Sequence, residues 1–171
     1  MLRPVLQYPD PRLKQKSEPV ERIDDEIRAL AADMIDTLIS IGGVGLAAPQ
    51  IGVFKRMALI DVSQGGNDPS APQDFKMFIN PKITVLDPSP HSEKEGCLSV
   101  PDFRAAVNRP RKVGIDATGL DGEALHYEGE GYYGACMQHE FDHLDGVLFL
   151  DRISFLKRSL YDKKIKKAAR G

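Results

Sequence analysis

The segment His139-Glu-Phe-Asp-His143 constrains the fold more than any other stretch of the chain. In a helix, residues four apart lie about 40° apart and one turn along, so both imidazoles can reach a single divalent ion. Glu140 lies about 100° from His139 and about 60° from His143, where it can face a water on that ion without being a ligand. An exposed helix with ordinary surface His and Glu residues is the alternative for this motif alone. The helix is predicted over residues 132–144, closed by Asp145-Gly146.

A catalytic site needs a third protein ligand and an open position. No Glu and no His follows His143, so the arrangement of the usual zinc peptidases is unavailable. Asp145 and Asp151 are the acidic candidates, but Asp145 is only two positions on and points away from the ligand face. Cys136 shares that face but sits roughly 7 Å along the axis from the midpoint of the histidines, too far for a sulfur bond of about 2.3 Å. Its expected role is small, buried packing against the sheet. Cys97, in Glu95-Gly-Cys-Leu-Ser-Val-Pro101, comes from a turn-prone segment elsewhere and is the predicted third ligand. A buried apolar cysteine is the alternative there.

The rest of the chain reads as one domain, residues 1–171, since 171 residues leave no room for a second of normal size. A hydrophobic content of 42% and a charged content of 28% are globular averages, which excludes disorder and a coiled-coil rod. Two cysteines make no disulfide framework, and neither a signal peptide nor a membrane-length apolar run is present. The expectation is a cytoplasmic, monomeric protein with no membrane contact. Apolar residues recur every three or four positions over 23–41, an amphipathic helix with Gly42-Gly43 as its stop. Residues 43–52 read as a loop, because three glycines and a proline oppose regular structure. Short strands are predicted at 56–62, 75–80, 83–86, 104–107, 112–118 and 124–128, with a mobile loop at 63–73. A last helix over 154–168 carries Phe155, Leu156, Leu160 and Ile165 on one face and lysines on the other. The result is an α+β class, with short antiparallel or mixed strands around a central metal-binding helix and a helix towards each end.

Charge is uneven. Residues 151–171 carry eight cations and two carboxylates, net +6, against −8 for the other 150. A basic tail on an acidic body fits an anionic partner such as RNA or lipid headgroups, or simply a solvated helix face.

Gly43-Val-Gly-Leu-Ala-Ala-Pro-Gln50, Glu95-Gly-Cys-Leu-Ser99 and Gln138-His-Glu-Phe-Asp-His143 resemble the three signature motifs of the peptide deformylase family, in the family's order. The basic tail, about residues 152–171, is similar to the bacterial form that docks on the ribosome. The resemblance implies removal of the N-formyl group from the initiator methionine of nascent chains, with release of formate. Cys97, His139 and His143 would hold the ion and leave a position for water, whose pKa the ion lowers. Glu140 would take the proton and deliver it to the leaving amine. The Gln50 amide and the Leu98 backbone N–H resemble the family's oxyanion donors.

Iron(II) is the native metal that the resemblance implies, while the ligand set also suits zinc, nickel or cobalt. By the same resemblance, Gly43, Val44, Gly45, Glu95, Arg104, Tyr132, Ala135 and Cys136 line or support the substrate groove. Glu95 and Arg104 are expected to pair, an ordinary surface ion pair being the alternative. Glu93 stands where the family is usually apolar or aromatic, and Tyr132-Tyr-Gly-Ala135 replaces a more common aliphatic run. His91 and His126 lack ligand spacing and are expected at the surface. The competing functions are a zincin-like peptidase, weakened by the missing downstream ligand, and a non-enzymatic ribosome- or RNA-binding domain with a structural metal.

Overall fold

The computed structural model describes residues 1–63 and 70–170, so the middle of the predicted 63–73 loop lies outside the described residues. Helix α1, Asp25–Ile41, starts where the Asp24 carboxylate accepts from the Ile27 N–H. It stops at Gly42, whose φ of 81° closes the helix in the left-handed conformation that glycine adopts without strain. Strand β1, Gly45–Ala47, leads through a tight turn at Ala48–Ile51 into β2, Met57–Asp61. The predicted 43–52 loop therefore holds a short strand, because β1 satisfies its backbone by pairing with β2.

Strands β3, Phe75–Cys97, and β4, Val100–Thr118, are far longer than the separate strands expected from the sequence. The prolines read as breaks sit where the ladder tolerates them. Pro81 and Pro88 coincide with shifts in register, and Pro90 faces Pro110 in a part of the hairpin where each strand has only the other as neighbour. A missing N–H costs little at such positions. Strand β5, Ala124–Glu130, completes an antiparallel sheet of order β1-β2-β3-β4-β5 and runs directly into helix α2, Gly131–Leu144.

The sheet is covered on two sides, and the two-residue period of β2 allocates its side chains accordingly. Met57 and Leu59 join Met34 and Leu38 of α1, while Ala58 and Ile60 join Met137, Phe141 and Leu144 of α2. Full burial of each of these side chains except Ala58 contributes about 1.5–3 kcal/mol. Helix α2 touches all five strands, which is the central position expected for a metal-binding helix.

Beyond α2, a turn at Phe149–Arg152 leads to helix α3, Phe155–Arg170. Its orientation differs from the expected one. Of the expected apolar face, Phe155, Leu156 and Leu160 are exposed while Ile165 packs against the core, and the helix docks chiefly through Tyr161, whose ring stacks on Phe103 at 4.5 Å and whose hydroxyl donates to the Pro101 carbonyl. A ring with a polar tip suits a contact that is half apolar and half backbone, which an aliphatic stripe does not. Among the described residues no helix is long and apolar enough to cross a membrane.

Candidate active site

Helix α2 presents His139 and His143 one turn apart, their rings 5.2 Å apart and edge-to-face. Cys97, the last residue of β3, brings its Sγ to 3.4 Å from His143 Nε2. The donor atoms of Cys97, His139 and His143 all lie within 4.8 Å of one another. A tetrahedral ion with bonds of about 2.0 to 2.3 Å holds its ligand atoms about 3.5 Å apart, so one divalent ion fits this trio. Cys136 is outside the cluster.

The other atoms of these candidate ligands are set by their surroundings. The Glu95 carboxylate accepts from His139 Nδ1 at 2.9 Å, which leaves Nε2 for an ion. Burial lowers the basicity of His139, and its contacts with the Cys97 sulfur and Glu95 more than reverse that. His143 is held well below the ordinary imidazole range by burial and then by the charges of His139 and Arg109, so it is a neutral donor. Glu140 is buried, its Oε2 has no hydrogen-bond partner, and burial raises its pKa to about 7. Gln50 is oriented by its neighbours: Oε1 accepts from the Ala47 N–H at 2.9 Å, and Nε2 donates to Ser99 Oγ at 3.1 Å while lying 3.6 Å from Cys97 Sγ.

Gln50, Cys97, His139 and Glu140 line a cleft of about 970 Å³. Gly43, Val44, Gly45, Glu95, Leu98, Arg104, Tyr132, Ala135 and Cys136 line it as well. The turn at Leu98 is pinned by the Gln7 amide, which donates to the Leu98 carbonyl at 3.0 Å. Cys136 is partly exposed to the cleft rather than packed into the sheet, and burial of its sulfur raises the thiol to about 12. Tyr132, which contacts Cys136, is likewise raised to about 12 by burial, so both side chains are neutral donors.

The expected Glu95–Arg104 pair does not form. Glu95 pairs instead with Arg109, whose Nε and Nη2 donate to the two carboxylate oxygens at 2.6 and 2.9 Å. The cause is strand parity. Glu95 stands opposite Ala105, so Arg104 projects from the other face of β4, whereas Arg109 shares the parity of Ala105. Burial alone would raise the pKa of Glu95, but Arg109 and His139 hold it below the ordinary carboxylate range. Arg109 also donates to Asp142 at 2.9 Å, and Asp142 receives both Nε and Nη2 of Arg152 at 2.6 and 2.8 Å. Arg109, Asp142 and Arg152 were not visible as site residues in the sequence; the one available signal was Asp142 inside the helix motif, three residues after His139. His91 pairs with Glu93 at 2.8 Å, and His126 lies exposed between Asp116 and Glu128.

Known proteins share this architecture. The polypeptide deformylase family pattern matches residues 2–159. A peptide deformylase of Acidobacterium capsulatum is 46% identical over 170 residues, covering 99% of this chain and 97% of its own. The crystal structure of peptide deformylase from Ehrlichia chaffeensis in complex with actinonin has a TM-score of 0.89 at 35% identity, covering 99% of both chains. A class I type b peptide deformylase from Acinetobacter baumannii with bound Met-Ala-Ser has a TM-score of 0.81 at 33% identity, covering 90% of this chain and 99% of that one. With a Cys-His-His cluster on the same scaffold and a family match over nearly its whole length, this chain belongs to the polypeptide deformylase family.

Proposed function

We propose that the chain works through Cys97, His139 and His143 as metal ligands, with Glu140 as proton carrier and Gln50 and the Leu98 N–H as oxyanion donors. The activity is that of the family: metal-dependent removal of the N-formyl group from formyl-methionyl peptides. The observation that carries the reading is the trio of donor atoms within 4.8 Å of one another beside an unpartnered, buried Glu140. When bound, a divalent ion supplies the Lewis acidity that polarises the formyl oxygen and makes hydroxide available at neutral pH.

Each residue then has a defined task. Glu140, raised to about 7, accepts a proton from the attacking water and returns it to the departing amine. Its unpartnered Oε2 supports this role, since a carboxylate committed to another donor would be a weaker base. The Gln50 amide cannot flip, because Ala47 N–H requires an acceptor, so Nε2 stays beside Cys97 for the charge that develops on the formyl oxygen. Among the described residues strand β1 has β2 as its sheet neighbour on one side only, and this edge supports capture of an extended peptide by Val44 and Gly45 as an added strand. Gly43, Glu95, Arg104, Tyr132, Ala135 and Cys136 would shape the methionine pocket and the groove leading from it. The Met-Ala-Ser peptide bound to the Acinetobacter baumannii protein supports a methionyl peptide as the occupant.

Iron(II) is the proposed native ion. One thiolate and two imidazoles also accept zinc, nickel or cobalt, and a thiolate beside iron(II) is open to oxidation. The protein is proposed to act as a cytoplasmic monomer, with the basic outer face of α3 resting on the ribosome near emerging chains. Anaerobic purification, metal analysis and formate release from a formyl-methionyl peptide on one sample test the reading. Iron at one per chain with turnover that is lost in air is the expected result. Cleavage of an unformylated peptide at an internal bond would favour a zincin-like peptidase instead.

A further inference from the structure

We propose that the turn Phe149–Arg152 is a positioning element for His139, with Phe149 fixing the plane of the imidazole and Arg152 fixing the partner of its Nδ1. The inference rests on the reading of His139 as a metal ligand and extends it to residues 10 and 13 positions along the chain.

Two separate contacts run from this one turn to the same imidazole. The Phe149 ring lies over the His139 ring at 6.0 Å with a 27° interplanar angle. Phe149 also stacks on Phe103, at 6.1 Å and 14°. It is 1% exposed, so its ring has no room to swing and the imidazole face it covers is constrained in turn.

The second contact is ionic. Arg152 donates through Nε and Nη2 to Asp142, Asp142 receives Arg109, Arg109 grips both oxygens of Glu95, and Glu95 accepts from His139 Nδ1. Charges alternate along this line from Arg152 to Glu95. Without Arg152, Asp142 keeps Arg109 as its one cation, and Arg109 is drawn outward from Glu95. The fork on Glu95 loosens, and with it the acceptor that orients His139. Lysine cannot replace Arg152, because a single ammonium offers no fork to the two Asp142 oxygens. The turn itself is held in shape by Asp151, which accepts from the Leu148 N–H and from Arg158 of α3.

The test compares the parent with Arg152→Ala, Arg152→Lys and Phe149→Leu. Cobalt(II) affinity of the metal-free proteins is measured by chelator competition. We expect a loss of about tenfold for Arg152→Ala and Phe149→Leu and a smaller loss for Arg152→Lys, the lower end of what partners of metal ligands contribute. In the zinc-loaded protein, the His139 Nδ1–H resonance is expected to move upfield and exchange faster in Arg152→Ala. Turnover of a formyl-methionyl peptide should fall in kcat with KM unchanged. Arg152 is 43% exposed, so its variants are expected to fold; if Arg152→Ala does not, Arg152→Lys reads the same quantities. Parent-like cobalt affinity and an unmoved Nδ1–H in Arg152→Ala would overturn the inference. So would a raised KM with parent-like kcat and affinity, which would place the effect in the cleft. Cobalt binding by the parent without a thiolate absorption band would instead overturn the ligand reading itself.

Discussion

Gly45 lies so close to Glu140 that a methyl group on its Cα would stand 2.8 Å from both Cγ and Oε1 of that side chain. No real Cβ tolerates such a separation, so Gly45→Ala must displace the carboxylate. We predict a fall in kcat of roughly 10²- to 10⁴-fold for Glu140→Ala and a smaller one for Gly45→Ala, both with undiminished metal content. Formate release and metal analysis on the same preparations check this, and a near-parent rate for Glu140→Ala would remove its role as proton carrier.

Cys97→Ala should empty the metal centre, whereas Cys136→Ala should retain metal at the parent level. The sulfur of Cys97 stands 3.4 Å from His143 Nε2, and Cys136 is outside the donor cluster. Metal content after dialysis against a weak chelator decides between them, and the reverse result would exchange their assignments.

Metal-free protein should lose stability with rising pH through Glu140. Its folded pKa of about 7 lies above the unfolded value of 4.5. Below pH 4.5 the group is protonated in both states and costs nothing. Between the two values the folded state keeps a proton that the unfolded chain releases, so stability falls, reaching a penalty of about 3 kcal/mol above pH 7. Glu140→Gln should therefore be more stable than the parent at pH 8 and equal to it at pH 4. Urea unfolding of both metal-free proteins at the two pH values measures the difference.

Removing Arg109 leaves Glu95 buried beside His139 with its strongest donor gone. Arg109→Ala is predicted to destabilise the metal-free protein by about 3–5 kcal/mol, the usual cost of breaking a buried ion pair from one side. Denaturant unfolding gives the value; a loss below about 1 kcal/mol would mean that the pair is hydrated.

Trimming α3 separates its two roles only if the cut spares Tyr161, which is 3% exposed and stacked on Phe103. Deletion of residues 166–171, which removes Lys166, Lys167 and Arg170, should weaken sedimentation with ribosomes while formyl-peptide turnover stays at the parent level. Unchanged sedimentation would leave these cations without the proposed partner.

The helices were legible because each rests on local spacing, and the Cys97, His139 and His143 cluster was legible through one such helix and an elimination. His139 and His143 follow from helical geometry, and Cys97 from the lack of any other suitable donor. What escaped depended on pairing between distant segments. Prolines 81, 88, 90, 101 and 110 read as strand breaks, yet the β3–β4 hairpin runs through them where neighbours are few or the register shifts. The Glu95–Arg109 pair hangs on that same register, which no local pattern encodes. The docking face of α3 was legible only at Ile165, because periodicity identifies an apolar stripe without saying which side meets a partner. Tyr161 won that place through Phe103 and the Pro101 carbonyl.

One residue separates Glu95 from Cys97 at the end of β3, and although the register shifts between Gly96 and Cys97, the Glu95 carboxylate reaches His139 and the Cys97 sulfur reaches His143. A slip of the regular run before that shift by a single position would turn Glu95 away from α2. The charge network of the centre is thus indexed to the pleat: outward-facing positions between Pro90 and Gly96 are free to drift, whereas an insertion or deletion within that regular run would carry Glu95 out of reach of His139.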